Sequence, residues 1–369
     1  MSHPLNIVVL GLSITSSWGN GHATTYRALV KALKKRGHRV TFLERDVPWY
    51  AEHRDLPKPP YCRTFLYRDL AELQASFSRH LRAADAVIVG SYVPEGVAVG
   101  EWATRAAACP VAFYDIDTPV TLAKLERGDE EYLTYDLISA YDLYLSFTGG
   151  PTIDRLHALG SPKAAPLYCS VDADVHAPVK VERRWRLGYL GTYSDDRQPG
   201  LERLLCAPAR AMPEADFVVA GPQYPENLEW PANVEHTAHL PPSQHCAFYC
   251  AQDFTLNVTR ADMREAGYSP SVRLFEAAAC GVPIISDRWE GLDSFLAIGS
   301  EILVADTTED ALGHLRRVGE AERRSIAAAA RAKILSRHTA DHRAAELEEL
   351  LRLAPSSRKA RREHAAALS

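Results

Sequence analysis

Short runs of apolar residues alternate along the chain with stretches whose apolar positions recur at helical spacing. NIVVLGLSI is followed by TTYRALVKALKKRG and then by HRVTFLER, which predicts a strand, a helix closed near Gly37, and a second strand. DAVIVGSY, PVAFYD and DLYLSF continue the series. Runs that are apolar throughout belong to strands buried on both faces, which implies a parallel sheet covered by helices. From Ala177 to Arg186 the segment APVKVERRWR breaks the pattern with charge, and a fresh series then runs through LGYLGTYS, DFVVAG, FTLNVT, VPIISD and EILVAD. The expectation is an α/β protein of two doubly wound, Rossmann-like domains over residues 1–180 and 181–354. Terminal helices follow Asp310, and a flexible charged tail covers 355–369. Two such domains on a short linker are expected to face each other across a cleft, because sheets of this kind bind ligands outside the carboxyl ends of their strands.

Composition narrows the function classes. A chain of 369 residues has room for two cores. Its net charge of -5 offers no polycation, so a nucleic-acid partner is not expected. The cysteines at 62, 109, 169, 206, 246, 250 and 280 contain no C-x-x-C pair, so neither a disulfide framework nor a zinc site is expected, and reduced thiols point to the cytoplasm. No uninterrupted apolar run is long enough for a membrane span. Nothing in the sequence speaks to oligomeric state.

Candidate chemistry concentrates in four segments. In SPSVRLFEAAACGVPIISD, Ser269 reads as a helix N-cap and Pro270 as the first helical residue. Arg273 and Glu276 then share one face while Leu274, Phe275 and Ala278 share another. Free amides at such a helix start suit a diphosphate, Arg273 adds a fork of donors, and Glu276 can accept from ribose hydroxyls. The same spacing allows an ordinary Arg273–Glu276 ion pair. In SSWGNGHATT, Gly19 and Gly21 let backbone approach an acceptor, and His22 reads either as the base that deprotonates its hydroxyl or as a helix-start residue bonded to a nearby carbonyl. In FYDIDTPVT, Asp115 and Asp117 follow an apolar strand; Asp117 assists the base or binds acceptor hydroxyl, and Asp115, also placed on the acceptor side, caps the turn. Arg260, after FTLNVT, reads as the cation that neutralises a leaving diphosphate, or else as a surface partner of Asp262 or Glu265. With phosphate served by a helix start and arginines, no divalent metal and no cofactor are expected. His245, Cys246 and Cys250 have ligand chemistry without metal spacing, and the two cysteines read as buried thiols.

FEAAACGVPIISD resembles the donor-binding signature of the two-domain nucleotide-sugar glycosyltransferases of the GT-B fold. Together with TLNVTRADM, GYSPSVRLFEAAACG, PIISDRWEGLD and YDIDTPVT, it resembles the CgeB-type, spore-maturation-protein-like glycosyltransferases, from about Asn6 to Leu350. The resemblance implies donor contacts at Glu276, Arg273 and the Ser271 and Val272 amides. It also implies a diphosphate-facing loop at Gly191, Thr192 and Tyr193, and nucleobase contacts at His239 and Leu240. The implied activity is transfer of a sugar, of the hexosyltransferase class, from a UDP or dTDP sugar to a hydroxyl acceptor. Where many retaining relatives carry a second glutamate, Tyr268 stands here, and the stereochemistry stays open. The rivals are a nucleotide-sugar epimerase or a binding protein on the same architecture, and an NAD(P)-dependent oxidoreductase. GLSITSSWGNG lacks G-x-G-x-x-G, and Glu44 is the nearest acid that could serve a dinucleotide ribose.

Overall fold

The computed structural model describes residues 3–19 and 21–354, so the tail expected over 355–369 lies outside the described residues. The chain divides into two compact units.

The first unit runs to Cys169 and takes up the chain again from Ala340. Its seven strands are β1 (Asn6–Gly11), β2 (Arg39–Arg45), β3 (Arg63–Tyr67), β4 (Ala86–Gly90), β5 (Val111–Asp115), β6 (Leu143–Ser146) and β7 (Ala164–Pro166). They pair in parallel in the order β3-β2-β1-β4-β5-β6-β7. β1, β4, β5 and β6 are buried almost end to end, as their unbroken apolar runs require. The order reverses between β1 and β4, which makes their carboxyl ends the switch point of this sheet.

The second unit covers Ser170–Thr339. Its strands β8 (Trp185–Leu190), β9 (Phe217–Ala220), β10 (Val234–Thr237), β11 (Gln252–Asn257), β12 (Ile284–Ser286) and β13 (Leu303–Val304) pair in parallel in the order β10-β9-β8-β11-β12-β13. The switch point here lies between β8 and β11. Both sheets are therefore doubly wound and parallel, the expected fold class.

The domain limits differ from those expected. The helix Ala340–Leu353, assigned by sequence order to the second domain, belongs to the first unit. Its buried face carries Ala340, Arg343, Ala344, Leu347, Glu348 and Leu351. Glu348 accepts from Arg36 Nε at 2.9 Å and lies 3.2 Å from His38 Nε2, and Arg343 donates to the Tyr168 carbonyl at 3.1 Å. A helix's apolar stripe shows that it packs, and these polar ties select where. Among the described residues no helix is long and apolar enough to cross a membrane, and all seven cysteines are free.

Candidate active site

In the second unit, Arg273, Ser271 and the Gly191 loop, all expected to hold a donor, gather at the switch point. Arg273 Nε donates to the Leu190 carbonyl, the last residue of β8, at 2.5 Å, and its Nη1 donates to Asn257 Oδ1, at the end of β11, at 2.8 Å. Its guanidinium lies 4.6 Å from the Tyr189 ring centroid, a cation–π contact. The ion pair with Glu276 that the spacing also allowed does not form. One arginine instead ties together the two strands whose divergence opens the crevice.

The helix begins later than expected. It spans Val272–Ala279 with Ser271 as N-cap, so Ser269 and Pro270 stand outside it, both buried. Ser271 gives its hydroxyl to Asn257 Oδ1 at 2.7 Å, and no side chain caps the helix amides. The first turn therefore keeps amide donors and the positive end of the helix dipole for an anion. Ser271 and Val272 are half-buried and remain accessible.

Gly191 follows β8 where backbone is crowded: a Cβ there would lie 2.7 Å from Arg273 Nη2. Gly221, after β9, has φ +150°, and a Cβ would meet the Gly191 carbonyl at 2.0 Å. The two glycines let the loops after β8 and β9 pack backbone to backbone. Thr192 and Tyr193 continue that loop, held by bonds from Arg197 to the Thr192 carbonyl (2.6 Å) and from Tyr193 N to Pro222 (3.0 Å). Arg260 is the N-cap residue of the helix Ala261–Ala266, partly exposed, with Asp196 its nearest acid at 3.9 Å. The pairing with Asp262 or Glu265 is not formed. The loop that carries Arg260 is pinned by Thr259, whose N–H and hydroxyl both donate to the buried Asp287 carboxylate (3.1 and 2.8 Å). His239 is exposed and Leu240 half-buried on the loop after β10, where the Leu240 carbonyl faces His245 Nε2 at 3.3 Å.

Glu276 differs most from expectation. Only 5% exposed, it accepts from the Tyr249 hydroxyl at 3.2 Å and lies between His176 and His245. Burial pushes its carboxyl up, but the two imidazoles and the tyrosine outweigh burial and hold it below the usual range.

In the first unit, Gly21 caps the helix His22–Lys35 by position, and Gly19 has φ +64°; both glycines are exposed. His22 is buried, and its Nδ1 has no hydrogen-bond partner among the described residues. The reading of His22 as a residue bonded to a carbonyl is thus not met at that nitrogen. Its ring meets Tyr92 edge-on at 5.3 Å, and Tyr92 holds an unfavourable φ of +61°. Burial lowers the imidazole below its ordinary value, and the Asp117 carboxylate works in the opposite direction. Asp117 precedes the helix Thr118–Glu126 without bonding its amides, so its carboxylate stays available.

Asp115, expected on the acceptor side, is not accessible. It is fully buried, accepting from the Tyr144 hydroxyl at 2.5 Å, Thr121 Oγ1 at 2.8 Å and Asp117 N at 3.3 Å. As the last residue of β5 it points back into the layer beneath the sheet and shapes the turn that presents Asp117. Burial raises its carboxyl to about 6, against the bonds from Tyr144 and Thr121. A raised folded value means that stability is greatest where the group is protonated and falls as pH rises through about 6. Ionising it costs about 3 kcal/mol. Asp115→Asn is therefore expected to flatten the stability curve between pH 4 and 7, and urea melts across that range would show an unchanged slope if Asp115 carried no such load.

Glu44 is also committed. Fully buried, it accepts from Ile14 N (2.7 Å), Thr15 N (3.0 Å), Ser13 Oγ (3.2 Å) and Thr15 Oγ1 (2.5 Å). It braces the loop after β1 and has no room for a dinucleotide ribose. Sequence reasoning gave no role to Asn257, the hydrogen-bond hub at the second switch point, to Tyr92, or to His176. Asn257 alone left a signal, as a polar residue ending the apolar run FTLN.

Among solved structures, the sucrose-phosphate synthase of Thermosynechococcus elongatus matches with a TM-score of 0.67 at 14% identity, over 94% of this chain and 98% of that one. Alr3699/HepE of Anabaena in complex with UDP-glucose matches at 0.68 and 14%, over 94% and 99%. An alpha-glucosyltransferase in complex with UDP-glucose and DNA containing an abasic site matches at 0.70 and 12%, over 95% and 100%. At such identities the likeness is one of fold, and the fold is that of the GT-B glycosyltransferases. Residues 197–349 match the glycosyl transferase-like family, a span that includes Arg260, Asn257 and the helix Val272–Ala279. No curated protein matches the sequence.

Proposed function

We propose that the chain is a glycosyltransferase of the CgeB type, transferring a hexosyl group from a UDP or dTDP sugar to a hydroxyl acceptor. The observation that carries this reading is the junction at the second switch point. There the side-chain-uncapped helix start at Val272, the Gly191–Tyr193 loop and Arg260 surround strand ends that Arg273 and Asn257 tie together. Such a junction suits a diphosphate, with the Ser271 and Val272 amides and Arg260 as its donors and no metal ion at the phosphates. His239 and Leu240 lie on the loop assigned to the nucleobase. The first unit supplies the acceptor side: Gly19, Gly21 and Asp117 around the base His22. The acceptor oxygen bonds to the anomeric carbon, the bond from that carbon to the β-phosphate oxygen breaks, and the nucleoside diphosphate leaves with the electron pair. The hydroxyl proton passes to His22, and Arg260 offsets the charge growing on the leaving group. The free cysteines fit action in the cytoplasm.

Calorimetry and transfer assays with a panel of UDP, dTDP and GDP sugars test the reading. Arg260→Ala is expected to weaken nucleoside diphosphate binding about 10- to 100-fold, the worth of a charge-assisted contact, while leaving the melting temperature nearly unchanged, since Arg260 is partly exposed. Absence of binding to every nucleotide sugar, or unchanged affinity in this variant, would overturn the donor assignment. Interconversion of a sugar without acceptor would point to an epimerase instead.

A further inference from the structure

Three metal-ligating side chains meet inside the second unit. His176 stands on the segment before β8, His245 opens the helix His245–Cys250, and Glu276 lies on the helix Val272–Ala279. Their ligand atoms all lie within 4.8 Å of one another. His176 Nε2 is 3.5 Å from Glu276 Oε1, and His245 Nδ1 is 3.8 Å from Oε2. Both separations are too long for good hydrogen bonds. Both are near the separation of about 3.4 Å between two ligand atoms that each lie about 2.0–2.1 Å from a tetrahedral zinc ion, and the two imidazole nitrogens, within 4.8 Å of each other, must draw together to share one.

The protonation pattern agrees. The contact of His245 Nε2 with the Leu240 carbonyl at 3.3 Å is a hydrogen bond when the proton sits on Nε2, which leaves the Nδ1 lone pair facing Glu276. A backbone carbonyl that fixes the ligating tautomer is the usual outer support of a metal-bound imidazole. His176 is 4% exposed, and neither of its ring nitrogens has a hydrogen-bond partner among the described residues. His245 Nδ1 is likewise without one. Leaving buried polar atoms unsatisfied costs about 1–3 kcal/mol each. Protonating both imidazoles against one carboxylate would bury a net positive charge. A single cation accepting a lone pair from each imidazole satisfies Nε2 of His176, Nδ1 of His245 and the carboxylate together. The neighbouring thiol of Cys246 donates to the Val175 carbonyl at 3.1 Å and is not part of the cluster.

We infer that His176, His245 and Glu276 form a binding site for a divalent cation of the zinc type, with water in the fourth position. The ion clips the segment before β8 to two helices of the second unit. The site does not depend on the donor reading, but an ion there holds Glu276 away from a ribose.

The full chain, stripped with chelator and reloaded, is expected to take up one equivalent of Zn2+, and Co2+ in its place is expected to give the intense visible band of a tetrahedral site. His176→Ala and His245→Ala should each weaken Zn2+ binding more than about 100-fold, with circular dichroism confirming that they fold. The wild-type Co2+ spectrum tests the site even if a variant fails to fold. No stoichiometric uptake, an octahedral Co2+ spectrum, or affinity unchanged in both variants would overturn the site. A UDP titration, read by the imidazole NMR signals of His176 and His245, covers the other occupant. Shifts with UDP but none with Zn2+ would assign these groups to ribose and overturn the metal site, whereas Zn2+ uptake in a chain that binds no nucleotide would uphold it while the donor reading fails.

Discussion

His22→Ala is expected to slow sugar transfer by about 10²- to 10⁴-fold, the usual worth of a positioned general base, with UDP affinity nearly unchanged. The reason lies in the environment of the imidazole. Burial pushes His22 below its ordinary value of 6.5, and Asp117 restores only part of that loss. At neutral pH the ring is therefore uncharged and offers a lone pair. Protonation disables a base, so the rate falls as pH drops through the His22 value, and this acid limb lies below 6.5. Asp117→Asn removes the charge that favours the imidazolium and moves the limb to still lower pH, while also slowing transfer if Asp117 orients the ring. The profile of kcat/KM against pH in the wild type and both variants checks this. An acid limb that persists in His22→Ala, an upward shift in Asp117→Asn, or a loss of UDP binding in His22→Ala would each remove His22 from the role.

The elements legible in the sequence are those with one dominant cause. β1, β4, β5, β8, β9, β11 and β12 lie inside parallel sheets, and unbroken apolar runs declare them. β3, β7 and β10 escaped because they stand at or near sheet edges, where burial is partial: Val234–Thr237 reads VEHT, with three exposed residues. The start of the Val272 helix was misplaced because Ser-Pro is a generic opening. Here Tyr268 adopts φ +46° and the chain stays extended to Ser271, so that Ser271 and Arg273 both reach Asn257. The site divides in the same way. Arg260 lies three residues past β11 and His22 opens the helix that follows β1, and strand order alone places both near a switch point. Glu276 is on the expected helix, yet its neighbours His176 and His245 come from segments far away in the chain, and no spacing rule connects them. Asp115 and Asp117 are two residues apart, but the strand ends between them, so one is sealed beneath the sheet and the other left available.

Arg273→Ala is expected to harm both stability and donor binding, in contrast to Arg260→Ala. The guanidinium supplies a charged donor to the Leu190 carbonyl and to Asn257 Oδ1, at the two strand ends that part at the switch point. Arg273 is 9% exposed, so water replaces it poorly. Its removal leaves the partly buried Leu190 carbonyl without its donor, Asn257 Oδ1 with Ser271 alone, and a void beside Tyr189, at a cost of about 2–3 kcal/mol, which lowers the melting temperature of a domain this size by roughly 5–10 °C. Asn257 also holds Ser271, so a loosened Asn257 lets the helix start drift, and UDP affinity should fall at least about 10-fold with it. Arg273→Lys retains a cation but cannot span both acceptors, and an intermediate loss is expected. Thermal melts and UDP calorimetry on the same samples separate the cases. A melting temperature equal to wild type in Arg273→Ala would mean that the tie between β8 and β11 carries no load. A full stability loss with unaltered UDP affinity would mean that the anion does not dock at this helix start.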